Sequence, residues 1–565
     1  MHDSMSATAW CRSCLRRCTP RWSVLLTALF VTTSFSAANA QQGSSSISFT
    51  IERFQVDGDN PLSASDTEHV LAPFVGPQQG ISGVEEAARA LEHALVERGY
   101  AFHRVTVPPQ RASGGVFQLR IASFRVAAID VHGNEHFSDA SVRNSLPSLQ
   151  LGESPNSRQI ARSLKQSNEH PARRVAVFLS EGEQAGELKA RIDVRDAKPW
   201  QVFSSLSNTG SRETGDWRLS VGAQHSGLWG RDHVLTMSYT TSPDHWEDVK
   251  QVGLSYRIPI YRLAGSIDAS YNRSNVSQGV DTTGVSAFDV SGAGRFVGIA
   301  YTQNLYPLGN YNQSVRLSFD DRLFENNTVN LAFPTLKFLD VRSRPVSLQY
   351  VGSYENGPTH YSVHAVLSGN VGGGAYNNNK AYQANRCGLD RSGVCNPTTG
   401  IGTQVDHVWQ VLRVGGEAMF PLFGQWQFHG RFESQLAGEP LIPGEQFGLG
   451  GVNSVRGFHE REIAGESGVQ INAELYAPPW IDSVRLLAFS DFGALRVIRP
   501  DDNKLTGETL LSVGVGLRWF FRNYIGISLD YAHVLDGNGS SANPAVTAIT
   551  RSDADYLHVN LFLRY

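Results

Sequence analysis

The sequence predicts an all-β transmembrane barrel of about 16 antiparallel strands, preceded by two small α+β modules. From residue 200 onwards, apolar and polar residues alternate along successive segments, which is typical of strands with one apolar face. The polar face repeatedly carries Arg, His, Glu and Asp, which indicates a water-filled lumen and disfavours a solid-cored sandwich. Residues 47–197 show one order of strands and helices twice, with a period of roughly 75 residues.

Composition agrees with an exported protein that is rich in strands and turns. The chain has 565 residues, too many for one ordinary domain, with 54 glycines and 10% aromatic residues. The formal net charge is −4 and no basic aromatic patch is present, so nucleic acid is not an expected partner. No long apolar run follows residue 40, so a mature chain that spans a membrane would have to be a closed barrel.

Residues 1–40 are predicted to be a signal peptide that is removed on export. A positively charged start precedes the apolar run Trp22–Phe35, and Ala38-Asn39-Ala40 forms a small-residue cleavage site. Because only a short polar segment separates Ala40 from the first predicted strand, we expect no helix at the mature N-terminus that could plug the barrel.

The first module is predicted at residues 47–122, with the order β-α-α-β-β. Capping boxes at Ser65–Glu68 and Ser82–Glu85 predict where its two helices begin. The second helix is predicted to end at Gly99 and to bury residues at helical spacing: Val84, Ala88, Leu91 and Leu95. The strands are predicted at Ile47–Val56, Phe102–Val107 and Val116–Ile121.

The second module is predicted at residues 123–197 and repeats this order. Its helices are expected at Ser138–Leu146 and Ser157–Glu169. Its strands are expected at Phe124–Val131, Val175–Leu179 and Glu187–Val194.

The barrel is predicted to occupy residues 200–565. Its connections are short on one side and long on the other, as in barrels whose short turns face the periplasm. The longest outer segments are expected at about 273–291, 371–406, 436–467 and 536–553, of which 436–467 is treated as an inserted loop.

The inserted loop contains the segment Val455, Arg456, Gly457 and Phe458 between further glycines. Taken alone, an arginine in such a loop is usually just solvated. The following strand, Val484–Phe492, places Phe489 and Asp491 on the face opposite Val484, and an inward-folded Arg456 would meet Asp491 in a charge-assisted hydrogen bond. Phe458 is expected to pack under the loop.

The next predicted strand carries two inward glycines, Gly514 and Gly516, which are expected to leave space for the loop. Cys387 and Cys395 lie in a polar outer segment. Since the protein is exported, they are predicted to form a small disulfide, with two free thiols as the alternative.

No enzyme motif is apparent in the sequence. A Gly-x-Ser-x-Gly elbow and a Walker loop are absent, and a turn separates His132 from His136. We therefore expect no catalysis, no cofactor and no metal site.

The Val-Arg-Gly-Phe loop followed by a Phe-x-Asp strand resembles the outer-membrane barrel superfamily that inserts or secretes proteins, and the N-terminal repeat resembles its POTRA modules. Three segments around the first module resemble the TpsB family of two-partner secretion transporters: Arg98–Tyr100, Val107–Gln110 and Gly114–Ile121. So do segments at the entry to the barrel: Val194–Trp200, Asn208–Ser211 and Thr214–Gly215. The resemblance implies 16 strands and a lumenal loop whose arginine meets the strand aspartate.

The resemblance also implies an outer-membrane pore that secretes a large unfolded exoprotein, recognised by the POTRA modules in the periplasm, without ATP. Expected partners are this exoprotein, outer-membrane lipid and the barrel-insertion machinery, which reads a terminal aromatic residue; Tyr565 stands where Phe is commoner. An assembly factor for other barrels is the main alternative, while two modules rather than five favour secretion. A passive porin and a structural surface protein are weaker alternatives.

Overall fold

The computed structural model describes residues 48–565 apart from 80, 112–113, 211–213, 277–278, 281–288, 291–292, 326–338, 388–404, 482, 499–506, 523 and 538–549. The predicted signal peptide and the segment expected to lack a plug helix lie outside the described residues. The predicted disulfide does too, since Cys395 and the side chain of Cys387 are not described. No helix in the described part of the chain is both long and apolar enough to cross a membrane.

Module 1 is a three-stranded sheet covered by helices. Its elements are β1 Ser48–Ile51, β2 Arg53–Gly58, α1 Ala64–Leu71, β3 Gly76–Gln79, α2 Ser82–Glu97, β4 His103–Thr106 and β5 Val116–Ser123. In the sheet, β5 lies between β2, to which it is parallel, and β4, to which it is antiparallel. Helix α2 buries the four predicted residues, Val84, Ala88, Leu91 and Leu95, in the module's core.

Three local predictions in module 1 are wrong. The single strand Ile47–Val56 is two strands, because Glu52 N–H donates to the carbonyl of Gly115 (2.8 Å) and β1 pairs with β3 instead. Helix α1 is capped by Ser63, whose hydroxyl accepts from Asp66 N–H (3.1 Å), so Ser65 lies inside the helix. Helix α2 begins at Ser82, after Ile81, without any side-chain cap.

Module 2 repeats the sheet of module 1. Its elements are β6 Arg125–His132, α3 Asp139–Asn144, α4 Ser157–Asn168, β7 Arg173–Glu181 and β8 Glu187–Asp196. Strand β8 lies between β6, to which it is parallel, and β7, to which it is antiparallel. Its core contains Ile160 of α4, and Leu164 of the same helix packs against that core.

The remaining strands close into a barrel. The strands of its wall are β9 Trp200–Ser207, β10 Arg218–Leu228, β11 His233–Thr241, β12 Gln251–Ile260, β13 Gly265–Ser274, β16 Gly294–Asn304, β17 Tyr311–Phe324, β18 Val341–Ser343 with β19 Pro345–Asn356, β20 Thr359–Asn370, β21 Gln410–Pro421, β22 Gln427–Ala437, β25 Ser467–Tyr476, β26 Val484–Arg496, β27 Gly507–Phe521, β28 Ile525–Asp536 and β29 Asp555–Arg564.

Four short strands and one helix lie in the outer segments: β14 Gly279–Val280, β15 Asp289–Val290, α5 Asn379–Cys387, β23 Phe447–Leu449 and β24 Ile463–Gly465. With β18 and β19 taken as one interrupted strand, the described wall has 16 antiparallel strands, and β29 pairs with β9 to close it. The predicted fold class is therefore confirmed. Exposed apolar residues such as Met237 and Val252 alternate with inward polar residues such as Thr236, as the period of two predicts.

Module 2 is docked on the periplasmic turns of the barrel through a buried ion pair. Arg173 at the start of β7 binds Asp232 of the β10–β11 turn (2.8 Å), and the two residues are 1% and 3% exposed. Ser141 Oγ (2.6 Å) and Tyr261 Oη (2.7 Å) also donate to the Asp232 carboxylate. Because module 2 and two barrel turns supply these groups, the ion pair joins the two parts of the molecule.

His170 is buried in the same interface. Its Nε2–H donates to the carbonyl of Ser226 in β10, and its Nδ1 accepts from Ala172 N–H (3.3 Å), so the neutral ring satisfies both partners. Burial, with the nearby Arg173 guanidinium, lowers the pKa of His170 to about 4.

Candidate functional site

The segment between β22 and β25, residues 438–466, folds back into the barrel; we call it the lumenal loop. It contains the short hairpin of β23 and β24, with the tip between them. The tip turns through Gly450, Gly451 and Gly457, whose φ values of 108°, 102° and 95° are left-handed conformations that favour glycine. Arg456 is brought in this way against the inner wall, next to β26.

Arg456 donates three hydrogen bonds to Asp491. Its Nε and Nη2 donate to the two carboxylate oxygens at 2.7 and 2.8 Å, and its backbone N–H donates to Oδ2 at 3.1 Å. Arg456 is 3% exposed and Asp491 is fully buried. The residues that the sequence pairs are therefore adjacent, and the fork geometry is that of a bidentate arginine–carboxylate pair.

Sequence reasoning missed two further carboxylates at this arginine. Nη1 of Arg456 donates to Glu474 of β25 at 2.7 Å and lies 3.5 Å from Asp530 of β28. Asn472 of β25 orients Asp491 by donating to Oδ1 at 2.8 Å. Glu474 and Asn472 lie two residues apart in β25 and so share its polar face, but the wall has many such residues, and alternation does not say which of them lies next to the loop.

The aromatic residue beneath the guanidinium is Phe489, whose ring centroid lies 3.6 Å from Arg456 Cζ. Phe458 is also fully buried. It packs in an apolar cluster with Val455, Leu449, Leu495, Leu510 and Val534. Phe489 is two residues from Asp491 on the same face of β26, which explains why its ring lies beside the same guanidinium.

The two inward glycines of β27 make room for wall side chains and not directly for the loop. The ring of Phe489 fills the space above Gly514, its cross-strand partner. Leu487 and the Asp530 carboxylate fill the space above Gly516. Gly514 therefore supports the loop through Phe489, whose ring lies over Gly514 and against Arg456.

Buried polar groups also hold the base and the tip of the lumenal loop. Glu466 is fully buried and accepts from Gln446 Nε2 (2.8 Å) and from Ile498 N–H (2.8 Å). Glu445 is 1% exposed and binds Arg322 of β17 (3.0 Å). At the tip, Glu460 accepts from Val452 N–H (2.9 Å). The loop is thus tied to the wall at several points besides Arg456.

A substitution at Gly457 tests how the tip of the lumenal loop packs against the wall. Gly457→Ala is expected to lift the tip from the wall, because an added Cβ would lie 2.9 Å from Cγ2 of Val534 at a left-handed φ. The cost is about 1–3 kcal/mol, and added protease should cut the loop faster in intact cells. Gly438→Ala in the same loop is the matched control, since its Cβ would meet no heavy atom within 4 Å. Equal digestion of the two variants would contradict this seating.

The arrangement is suited to holding a loop in place. A bidentate arginine with three carboxylates and an aromatic face is a static, buried ion network, and removing one member would leave uncompensated charge inside the barrel. Among the described residues, no group of three or more His, Cys, Asp or Glu side chains is placed to hold a metal ion.

Comparison with known proteins identifies the family. The profile of the haemolysin secretion/activation protein family ShlB/FhaC/HecB matches residues 186–519, more than half of the chain. The profile of the ShlB-type POTRA domain matches residues 49–123. These matches cover most of the barrel and the first module.

Individual relatives are similar over most of their length. The outer membrane transporter CdiB of Dickeya dadantii is 23% identical over 505 residues, which cover 86% of this chain and 82% of that protein. The heme/hemopexin transporter protein HuxB of Haemophilus influenzae is 21% identical, with 88% of this chain and 86% of that protein covered. The solved structure of CdiB from Escherichia coli has the same fold, with a TM-score of 0.69 and 17% identity over 94% of this chain and 93% of that one.

The closed barrel, the first module and the lumenal loop agree with the expected outer-membrane location, with the POTRA modules in the periplasm. The alternatives of a porin or a structural surface protein do not account for the matched profiles. The chain belongs to the haemolysin secretion/activation family ShlB/FhaC/HecB, outer-membrane transporters that secrete a partner protein by two-partner secretion.

Proposed function

We propose that the POTRA modules capture one large unfolded exoprotein in the periplasm, and that the lumenal loop, held by Arg456, obstructs the barrel until this client arrives. The client then crosses the lumen as an extended chain. Its folding outside the cell makes the movement one-way, so neither ATP nor an ion gradient is required. The lack of hydrolase and nucleotide-binding motifs in the sequence supports a transport role without a catalytic step.

The observation that carries this proposal is the burial of Arg456. Arg456 is 3% exposed and contacts three carboxylates and an aromatic ring, whereas an arginine in a solvated loop would keep its charge in water. Moving the charges of Arg456 and its carboxylates out of water costs free energy, and only a specific, well-fitted binding site for the arginine offsets that cost. Such a binding site is expected where a loop must occupy one position before the client arrives.

Client capture is supported by the sheets of the two modules. Strand β4 forms one edge of the first sheet, and β7 forms one edge of the second. A strand edge offers backbone N–H and C=O groups to which an extended client segment can add by main-chain hydrogen bonds. Since the relatives bear names that refer to different cargo, we propose only the class of client: a large exported adhesin, haemolysin or contact-dependent toxin.

Deletion of this chain tests the function. We expect one large protein to disappear from the culture medium and to return when the wild-type chain is supplied, while other outer-membrane proteins stay at normal levels. The measurement is quantitative proteomics of the medium and of the outer membrane in the same cultures. Loss of many outer-membrane barrels would instead favour an assembly factor, and an unchanged medium would contradict the proposal.

A further inference from the structure

The lumen contains a polar cavity of about 860 Å³, which we call the lumenal cavity and which lies beside the lumenal loop. Inward residues of β10–β13, β16, β17, β21 and β22 form its wall on one side. The loop contributes Phe447 and Arg461, and module 2 contributes Glu169 and Pro171. Because Arg456 is not part of this wall, the cavity is separate from the ion network that holds the loop.

A second cavity of about 710 Å³, which we call the entrance cavity, lies at the periplasmic mouth of the barrel. It is bounded by residues 197–201, which lead from module 2 into β9, and by the ends of β27, β28 and β29. Pro171 and Gln224 belong to the walls of both cavities, so the two are adjacent. Together they lead from the periplasm, past the base of module 2, to the flank of the lumenal loop.

The entrance cavity carries only positive side-chain charge. Lys198, Arg522 and Arg564 line it and are exposed to solvent, and none of the side chains in its described wall is Asp or Glu. Two of these cations lie over aromatic rings, Lys198 over Trp200 and Arg522 over Phe521. Cations that are pre-positioned in this way attract anionic groups without paying the full entropy of ordering.

The lumenal cavity adds a smaller positive excess: five arginines line it, against Glu169, Asp268, Asp320 and the buried Glu445. Asp268 accepts from both Arg257 (2.8 Å) and Arg316 (3.1 Å), so one positive charge there is not offset. The guanidinium of Arg461 donates to the main-chain carbonyls of Pro443 (3.1 Å) and Gln446 (3.2 Å).

Further along the same wall, Arg322 and Arg413 share the buried Glu445, at 3.0 and 4.0 Å. Asp320 contacts Arg322 as well (3.1 Å). The two walls together carry eight Arg or Lys side chains against Glu169, Asp268 and Asp320, with Glu445 buried behind them. The eight cations therefore exceed these four carboxylates by four charges, three of which lie at the entrance.

We infer that these two cavities form one electropositive passage that takes an extended polypeptide segment of net negative charge. This inference rests on the proposed function and adds the route and the charge of the translocating segment. Guanidinium groups donate to carboxylates and also to the backbone carbonyls that an extended chain presents at every residue. A low-dielectric wall of one charge sign also raises the local concentration of the opposite charge.

Peptide binding tests this inference on the purified full-length protein. The probe is a fluorescent, unstructured peptide rich in Glu, Gly and Ser, and the matched peptide carries Lys in place of Glu. We expect the acidic peptide to bind more tightly, with an affinity that falls at high salt, as fluorescence anisotropy measures. Lys198→Gln, Arg522→Gln and Arg564→Gln together should weaken binding roughly tenfold. Arg295→Gln, Arg496→Gln and Arg551→Gln, exposed cations of the barrel that line neither cavity, are the control and should leave it unchanged.

Photo-crosslinking then places the peptide. A crosslinking residue at Ser270, on the wall of the lumenal cavity, should capture the acidic peptide, while the same residue at the outward Met237 should not. Equal binding of both peptides, no binding, or capture only at Met237 would overturn the inference. If that happens while deletion of the chain still removes one protein from the medium, the passage is wrong and the proposed function stands.

Discussion

Arg456→Ala is expected to abolish secretion of the client while the barrel still reaches the outer membrane. The substitution leaves Asp491, Glu474 and Asp530 buried together without their shared cation. Breaking a buried pair by removing one partner costs about 3–5 kcal/mol, more than a hundredfold in the population of the seated loop. The barrel itself is held by 16 strand pairings in the described wall, none of which contains Arg456, so insertion should be unaffected.

The measurement compares client in the medium with barrel in the outer membrane, for Arg456→Ala and for the shape-conserving Asp491→Asn. Arg496→Ala is the matched control, because Arg496 is an exposed arginine at the end of β26, the strand that carries Asp491. Both test variants should lose secretion and the control should keep it. Wild-type export by either test variant, with the control also normal, would show that the ion network is not needed for transport.

Asp232→Asn is expected to release module 2 from the barrel. Asparagine has the shape of aspartate and tolerates the left-handed φ of 60° at this position, so the turn should survive. Arg173, however, would be left 1% exposed without its counter-charge, which costs about 3–5 kcal/mol. Spin labels at Glu183 of module 2 and Arg262 of the β12–β13 turn should then give a broad, longer distance distribution in place of a narrow one.

Arg231→Gln is the control for this variant, since Arg231 is an exposed charge in the same turn. Acidification provides an independent check on the same distances. The docked state holds the pKa of His170 at about 4, below its ordinary value of 6.5, so docking is fully favoured above pH 6.5 and weakens as pH falls towards 4. His170→Gln should remove this pH dependence. If neither Asp232→Asn nor acidification changes the distance distribution, module 2 is not held on the barrel by this ion pair.

The sequence supports the barrel and the central pair because both depend on short-range periodicity. Alternation places Phe489 and Asp491 on one strand face, and glycines at 450, 451 and 457 allow the loop to turn inward. The identity of the remaining partners depends on barrel closure, which brings β25 and β28 to the same arginine as β26. Residues 74 positions apart in the chain, such as Arg456 and Asp530, carry no local pattern that relates them.

The local errors have similar physical reasons. Two serines two residues apart, Ser63 and Ser65, can each start a helix in the sequence, and the hydrogen bond to Asp66 decides between them. The docking of module 2 was not predicted at all, because Arg173 and Asp232 are isolated charges within ordinary polar segments. Such interfaces depend on the relative position of folded parts, which periodicity does not report.

The position of the lumenal loop in living cells tests the central claim most directly. In a variant with Cys387→Ser and Cys395→Ser, we would introduce Val455→Cys in the loop and Gly493→Cys on the wall of β26. A Cβ at Gly493 would lie 2.9 Å from Cγ2 of Val455, so the two cysteines should oxidise to a disulfide in the outer membrane. The matched pair Val455→Cys with Ser270→Cys, on the cavity wall formed by β13, should not. We predict near-complete linkage of the first pair and none of the second; no linkage of the first pair in correctly assembled barrels would show that the loop does not rest in the lumen.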